Sequence, residues 1–149
     1  MAKQTLIVKK GQTQALTVLG TEVRFLCDAE ATDHAWSLME LVVPRDAGPP
    51  PHEHNWDEAY YITEGCIQFS IGTRTVLATA GDFLYAPGGT IHGFRGASDS
   101  VARMLIFDAP AHAGQFFKEV DREVTDLPRQ LPEVLKIGAR NGINFVQPS

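Results

Sequence analysis

At 149 residues with a formal net charge of −5, the chain is long enough to bury a core of its own and too acidic to track a nucleic-acid backbone. Hydrophobic residues make up 44% and charged residues 21%, an ordinary globular balance, and no apolar run approaches the length that spans a bilayer. The first apolar stretch, Leu6-Ile7-Val8, is too short for the apolar region of a secretory signal. A cytoplasmic location is therefore expected, with Cys27 and Cys66 as reduced thiols.

Leu6-Ile7-Val8 reads as a short strand that either closes its own sheet edge or exchanges with a second copy of the chain. Short apolar-rich runs then fill residues 14–108, broken by Gly, Pro, Asn and Asp in the manner of an antiparallel sheet. Leu19-Gly20-Thr21 separates the first two. Val23, Phe25 and Cys27 alternate with Arg24, Leu26 and Asp28, and Ser37 to Val43 carries Met39, Leu41 and Val43 on its more apolar face. Pro44 to Pro51 is turn-rich, and its three consecutive prolines exclude a central strand. Further strands are predicted over 58–63, 66–71, 74–79, 83–86, 91–94 and 101–107, with turns at Glu64-Gly65 and Gly72-Thr73. After Pro110 the alternation stops. Residues 114–120 and 132–140 have helical spacing, with Pro132 suited to the first turn of its helix and Asn141-Gly142 to its stop.

Chemistry concentrates in two blocks. On an extended strand His52, His54 and Glu58 share parity and point the same way, and His92 closes the block Gly81 to His92. Three imidazoles and a carboxylate suit a divalent transition metal with positions left for water or substrate.

The spacing His52-x-His54-x3-Glu58-x6-Gly65, followed by Gly81-x5-Pro87-x-Gly89-x2-His92, resembles the two motifs of the cupin superfamily. The 15 residues between Gly65 and Gly81 match the short gap of small single-domain bacterial cupins. Two positions depart from the pattern: Asp46 stands where a glycine usually leads the first motif, and Gly96 where an asparagine often closes the second. The resemblance implies an all-β fold, a cupin jelly-roll β-barrel over about 14–108, with a tail of two short helices over about 111–149, all in one domain spanning 1–149. It implies His52, His54, Glu58 and His92 as ligands of one divalent metal per chain, whether iron, manganese, nickel, cobalt, copper or zinc. It also implies a homodimer. Strand parity around such a metal points to a mostly apolar pocket built from Phe25, Met39, Tyr60, Phe94 and Met104, with Cys27 and Ile62 also facing inward. Phe116 joins this set from the first helix, where the Phe116-Phe117 pair is placed to cap the barrel mouth, to pack on its wall or to meet a second copy.

Glu58 is the one ligand that also takes a proton, which makes it the candidate catalytic base. The arrangement, and the tail from Phe116 to Pro148, resemble quercetinase-type cupin dioxygenases. The expected activity is a metal-dependent dioxygenase acting on a small enolic or phenolic, flavonol-like substrate. A non-oxidative isomerase, lyase or decarboxylase of a small keto or hydroxy acid and a non-catalytic small-molecule-binding cupin stay open. Neither a nucleic-acid nor a membrane partner is expected.

Overall fold

The computed structural model describes residues 3–146. Its strands are β1 (Leu16–Val18), β2 (Thr21–Cys27), β3 (Ser37–Val43), β4 (His52–Glu53), β5 (Asp57–Glu64) and β6 (Cys66–Ile71). Then come β7 (Arg74–Thr79), β8 (Phe83–Ala86), β9 (His92–Gly96) and β10 (Ala102–Ala109). Helices α1 (Gly114–Glu123) and α2 (Leu127–Arg140) follow, and β11 (Asn144–Phe145) returns to the sheet. One sheet has six strands in the order β1-β2-β3-β10-β5-β8, the other five in the order β11-β4-β9-β6-β7. Their pairings are antiparallel, as the alternating pattern called for, and together they form the jelly roll that the motif resemblance implied.

Alternation decides which side chains meet inside. Along β3 residues Ser37, Met39, Leu41 and Val43 are buried, and along β10 residues Ala102, Met104, Ile106 and Asp108. The register sets Met39 opposite Ile106 and Leu41 opposite Met104, so the two strands present one continuous apolar face to the interior. Tyr60 and Ile62 from β5 and Ile67 and Phe69 from β6 fill it from either sheet. Each such side chain contributes about 1.5–3 kcal/mol by leaving water.

Four details depart from the sequence expectations. Leu6-Ile7-Val8 forms no strand, and Leu6 is 53% and Ile7 82% exposed. The tail is not helical throughout, since Asn144 and Phe145 pair with Glu53 and His52 and extend the five-stranded sheet. The second helix begins earlier, at Leu127, yet it is interrupted at Gln130 (φ −100°, ψ 18°), so Pro132 still opens a helical segment, where its missing N–H costs nothing. Finally, His52, His54 and Glu58 do not share a strand. The chain leaves the five-stranded sheet after Glu53, bends through Asn55 and Trp56, and enters the six-stranded sheet at Asp57.

That bend is clamped by the second motif. Gly89 N–H donates to His54 O and Gly88 N–H to Asp57 Oδ1, both at 2.8 Å. A Cβ on Gly88 would lie 2.6 Å from Asn55 O, so only glycine allows the loop after Pro87 to approach this closely. The two departures from the motif pattern are also explained. Asp46 adopts φ 66°, the left-handed conformation that a glycine supplies elsewhere and that aspartate tolerates. A Cβ on Gly96 would lie 2.1 Å from Pro44 O, which excludes asparagine at that position.

Candidate metal centre

The bend brings the polar side chains together from opposite walls of the barrel. His52 on β4 is the direct cross-strand partner of His92 on β9, with ring centroids 4.4 Å apart, and His54 approaches both from the bend. The donor nitrogens of His52, His54 and His92 lie within 4.8 Å of one another, and all three residues are buried. Glu58 reaches in from β5 in the facing sheet: its Oε1 is 2.9 Å from His54 Nε2 and its Oε2 3.7 Å from His92 Nε2.

Each ring is oriented by its other nitrogen. The Nδ1 atoms of His52, His54 and His92 hydrogen-bond to the carbonyls of Pro50, Trp56 and Thr90 at 2.9, 3.0 and 2.8 Å. A carbonyl only accepts, so each Nδ1 carries a proton, and Nε2 is the atom that faces the common centre and would meet a metal there. Trp56 adds a stacked contact on His54, ring centroids 4.0 Å apart and 8° from parallel. The Nε2 atoms of His54 and His92 are buried without an aligned hydrogen-bond partner, an arrangement that burial penalises unless something else fills it. Borderline nitrogen donors beside a hard carboxylate fit a divalent transition metal.

Electrostatics agree with that use. Burial, together with the neighbouring His92, lowers the His52 pKa to about 4, so its ring is neutral and free to ligate. Burial pushes the Glu58 carboxyl up, but the adjacent His54 and His92 imidazoles outweigh this and hold it well below the usual carboxylate range. Burial opposes a charge on His92, and the Glu58 carboxylate overcomes it and raises that ring. The Tyr60 hydroxyl donates to Glu58 Oε2. Burial and the Glu58 charge push the phenol well above its ordinary value, so it stays a donor.

Beside these groups lies an apolar cavity of about 40 Å³, walled by Leu19, Leu41, Phe94, Ile106, Phe116 and Phe145, with Tyr60 at its polar end. Of the residues expected to line it, Tyr60, Phe94 and Phe116 do. Met39 and Met104 are fully buried but pack the barrel interior away from the cavity, and Ile62 does the same. Parity gives the face of a sheet and not the depth along the barrel. Phe25 lies outside, on a separate cleft, and packs against Phe117. Phe145 and Ile143 were not anticipated, because their approach depends on the chain turning back after α2. Trp56, which stacks on His54 from the bend, was not anticipated either, since parity does not carry through the bend. His34 and His112 are exposed.

Asp108 was also missed. It pairs in register with Glu58 on one side and Ser37 on the other, is 0% exposed, and neither of its carboxylate oxygens has a protein partner. Burial, then the Glu58 charge, raises its pKa well above 3.8. The folded chain thus holds a proton that the unfolded chain releases above about pH 4, so this group's contribution to stability falls as pH rises from there toward the folded-state value. Asp108→Asn in metal-free protein is expected to be more stable than the parent at pH 8 by on the order of 1 kcal/mol. Denaturant titrations at pH 4 and pH 8 check this, and the gap should close at the lower pH.

Residues 38–108 match the family model described as Cupin domain. The barrel has the cupin fold. Among cupin structures it is similar to the polyketide cyclase RemF from Streptomyces resistomycificus, with 25% identity and a TM-score of 0.64 over 71% of this chain and 80% of that one. A predicted oxalate decarboxylase from Thermotoga maritima superposes with a TM-score of 0.65 over 70% of this chain and 99% of that one, at 19% identity, a likeness of fold. An uncharacterized protein of Streptomyces coelicolor is 28% identical over 67 residues, which span 44% of this chain and 64% of that protein. No helix among the described residues is long and apolar enough to cross a membrane.

Proposed function

We propose that this cupin is a metal-dependent enzyme acting on a small enolic or phenolic substrate, with His52, His54, His92 and Glu58 holding the metal. The observation that carries the reading is the convergence of three imidazoles, each oriented through Nδ1, and an ionised carboxylate, with His52, His54 and Glu58 lining an apolar cavity. A bound divalent metal supplies Lewis acidity toward a substrate oxygen. The chain supplies the rest. The apolar walls exclude water, the Glu58 carboxylate accepts the hydroxyl proton of the substrate, and Tyr60 steadies the other carboxylate oxygen as a donor.

Dioxygenation is the outcome we favour, on the resemblance of the two motifs and the tail to quercetinase-type dioxygenases. The similarity to RemF favours a second, non-oxidative outcome on an enolisable substrate. Turnover of a panel of catechols, flavonols and β-diketones by the metal-loaded protein, followed with an oxygen electrode and again under strict anaerobiosis, separates them. Oxygen uptake in step with substrate loss is the expected result. Turnover unchanged without oxygen would replace the dioxygenase with a non-oxidative enzyme, and no turnover of any substrate would sink both.

The same reading has the enzyme work as a homodimer. On the outer face of the six-stranded sheet Tyr61 is opposite Phe83, Trp36 stacks on Phe107, and Tyr85 lies alongside, all between 37% and 65% exposed. Aromatic surface of this kind is typically covered. Light scattering is expected to give twice the chain mass, and a Phe83→Lys, Tyr85→Lys variant the single mass.

A further inference from the structure

A cavity of about 40 Å³ holds only a few waters, whereas pockets for ring-containing ligands measure ~300–1,000 Å³. A second space lies on the other side of α1: a cleft of about 330 Å³ of mixed character, lined by Phe25, Asp28, His34, Ser37, Gln115 and Lys118 among others. The start of α1 is the wall between the two. Ala113, Phe116 and Phe117 line the cavity, while Gly114, Gln115 and Lys118 line the cleft, as helical spacing requires of two neighbouring faces. At the partition the rings of Phe117, from the cavity side, and Phe25, from the cleft side, touch with centroids 6.0 Å apart. Phe117 is half-buried, at the margin of the core rather than within it. On the cleft side Ser37 Oγ is buried without a protein hydrogen-bond partner.

We infer that cavity and cleft are two chambers of one substrate site, opened to each other by rotation of Phe117. The substrate is then a two-part molecule. An enolic or phenolic head enters the metal chamber, and a second, polar portion bearing hydroxyl or carbonyl groups lies in the cleft against Gln115, Lys118 and Ser37. The joined space reaches the size range of ring-containing ligands. This rests on the enol or phenol reading of the metal chamber given above.

The test measures binding by calorimetry to the full, metal-loaded and metal-free chain, with phenol as a one-ring probe and quercetin as a polyhydroxylated, multi-ring probe. Gln115→Ala and Lys118→Ala alter exposed positions and are expected to weaken quercetin about tenfold each while leaving phenol unchanged. Phe117→Ala, with Phe117→Leu as a milder partner checked by circular dichroism, is expected to tighten quercetin about tenfold by removing the partition. If neither cleft substitution nor either Phe117 variant changes quercetin binding, the two-chamber site is overturned and the metal reading stands. If quercetin responds to the cleft while both probes bind equally well without metal, the two-chamber site stands and the metal-enol reading falls.

Discussion

His92→Ala is expected to take the protein from about one equivalent of divalent transition metal per chain to essentially none, as measured by elemental analysis of tag-free samples. The reason is geometric. His92 is the cross-strand partner of His52, and its Nε2 lies 3.7 Å from the Glu58 carboxylate. Its loss removes one of four ligands and the cross-strand neighbour against which His52 is held, so the remaining two imidazoles and carboxylate no longer converge as a set. The thermodynamic counterpart is as large. Metal present at about 100 times its Kd should stabilise the parent chain by about 2.7 kcal/mol through preferential binding to the folded state, and should leave His92→Ala unmoved. Only neutral imidazoles ligate, so uptake by the parent should weaken as pH falls. Competition from protons should set in first at His92, whose affinity for them Glu58 raises. A His92→Ala protein that still carries stoichiometric metal and still gains stability from it would remove His92 from the site.

What the sequence disclosed and what it withheld divide along physical lines. Strand alternation is local, so Met39, Leu41 and Val43 were legible as an inward face from Ser37 to Val43 alone. Motif spacing is also local, and it brought His52, His54, Glu58 and His92 to one place even though the reasoning that set three of them on one strand was incorrect. The bend at Asn55 and Trp56 is the cause. A chain that crosses between sheets keeps its residues near one another in space while parity no longer applies to them. The residues that were not legible depend on long-range returns. Phe145 reaches His52 only because β11 comes back across α2, and the ring centroids of the two are 5.4 Å apart. Asp108 sits on an alternating strand where every inward neighbour is apolar, and nothing in the local pattern marks it as a carboxyl adjacent to Glu58.

Glu58→Gln should separate the two roles assigned to one side chain. Glutamine has the same length and keeps an oxygen that accepts the Tyr60 hydroxyl, so the cavity retains its shape. What it lacks is the charge, and with it the ability to take a proton. Turnover of whichever enolic or phenolic substrate the parent accepts should fall about 10²–10⁴-fold, the range typical of a lost general base. Metal content should fall much less, because His52, His54 and His92 keep the Nδ1 contacts that aim them. Activity and metal equivalents are therefore to be measured on the same samples. A rate that falls only in proportion to lost metal would make Glu58 a ligand and nothing more, and the base would have to be sought elsewhere in the cavity. A rate that collapses while metal remains places the proton on Glu58. In that case the position of its carboxylate, between two imidazoles on one side and a Tyr60 hydroxyl on the other, serves the chemistry as well as the metal. The two imidazoles hold the group ionised despite burial and the Tyr60 hydroxyl fixes its orientation, so it is charged and aimed before substrate arrives.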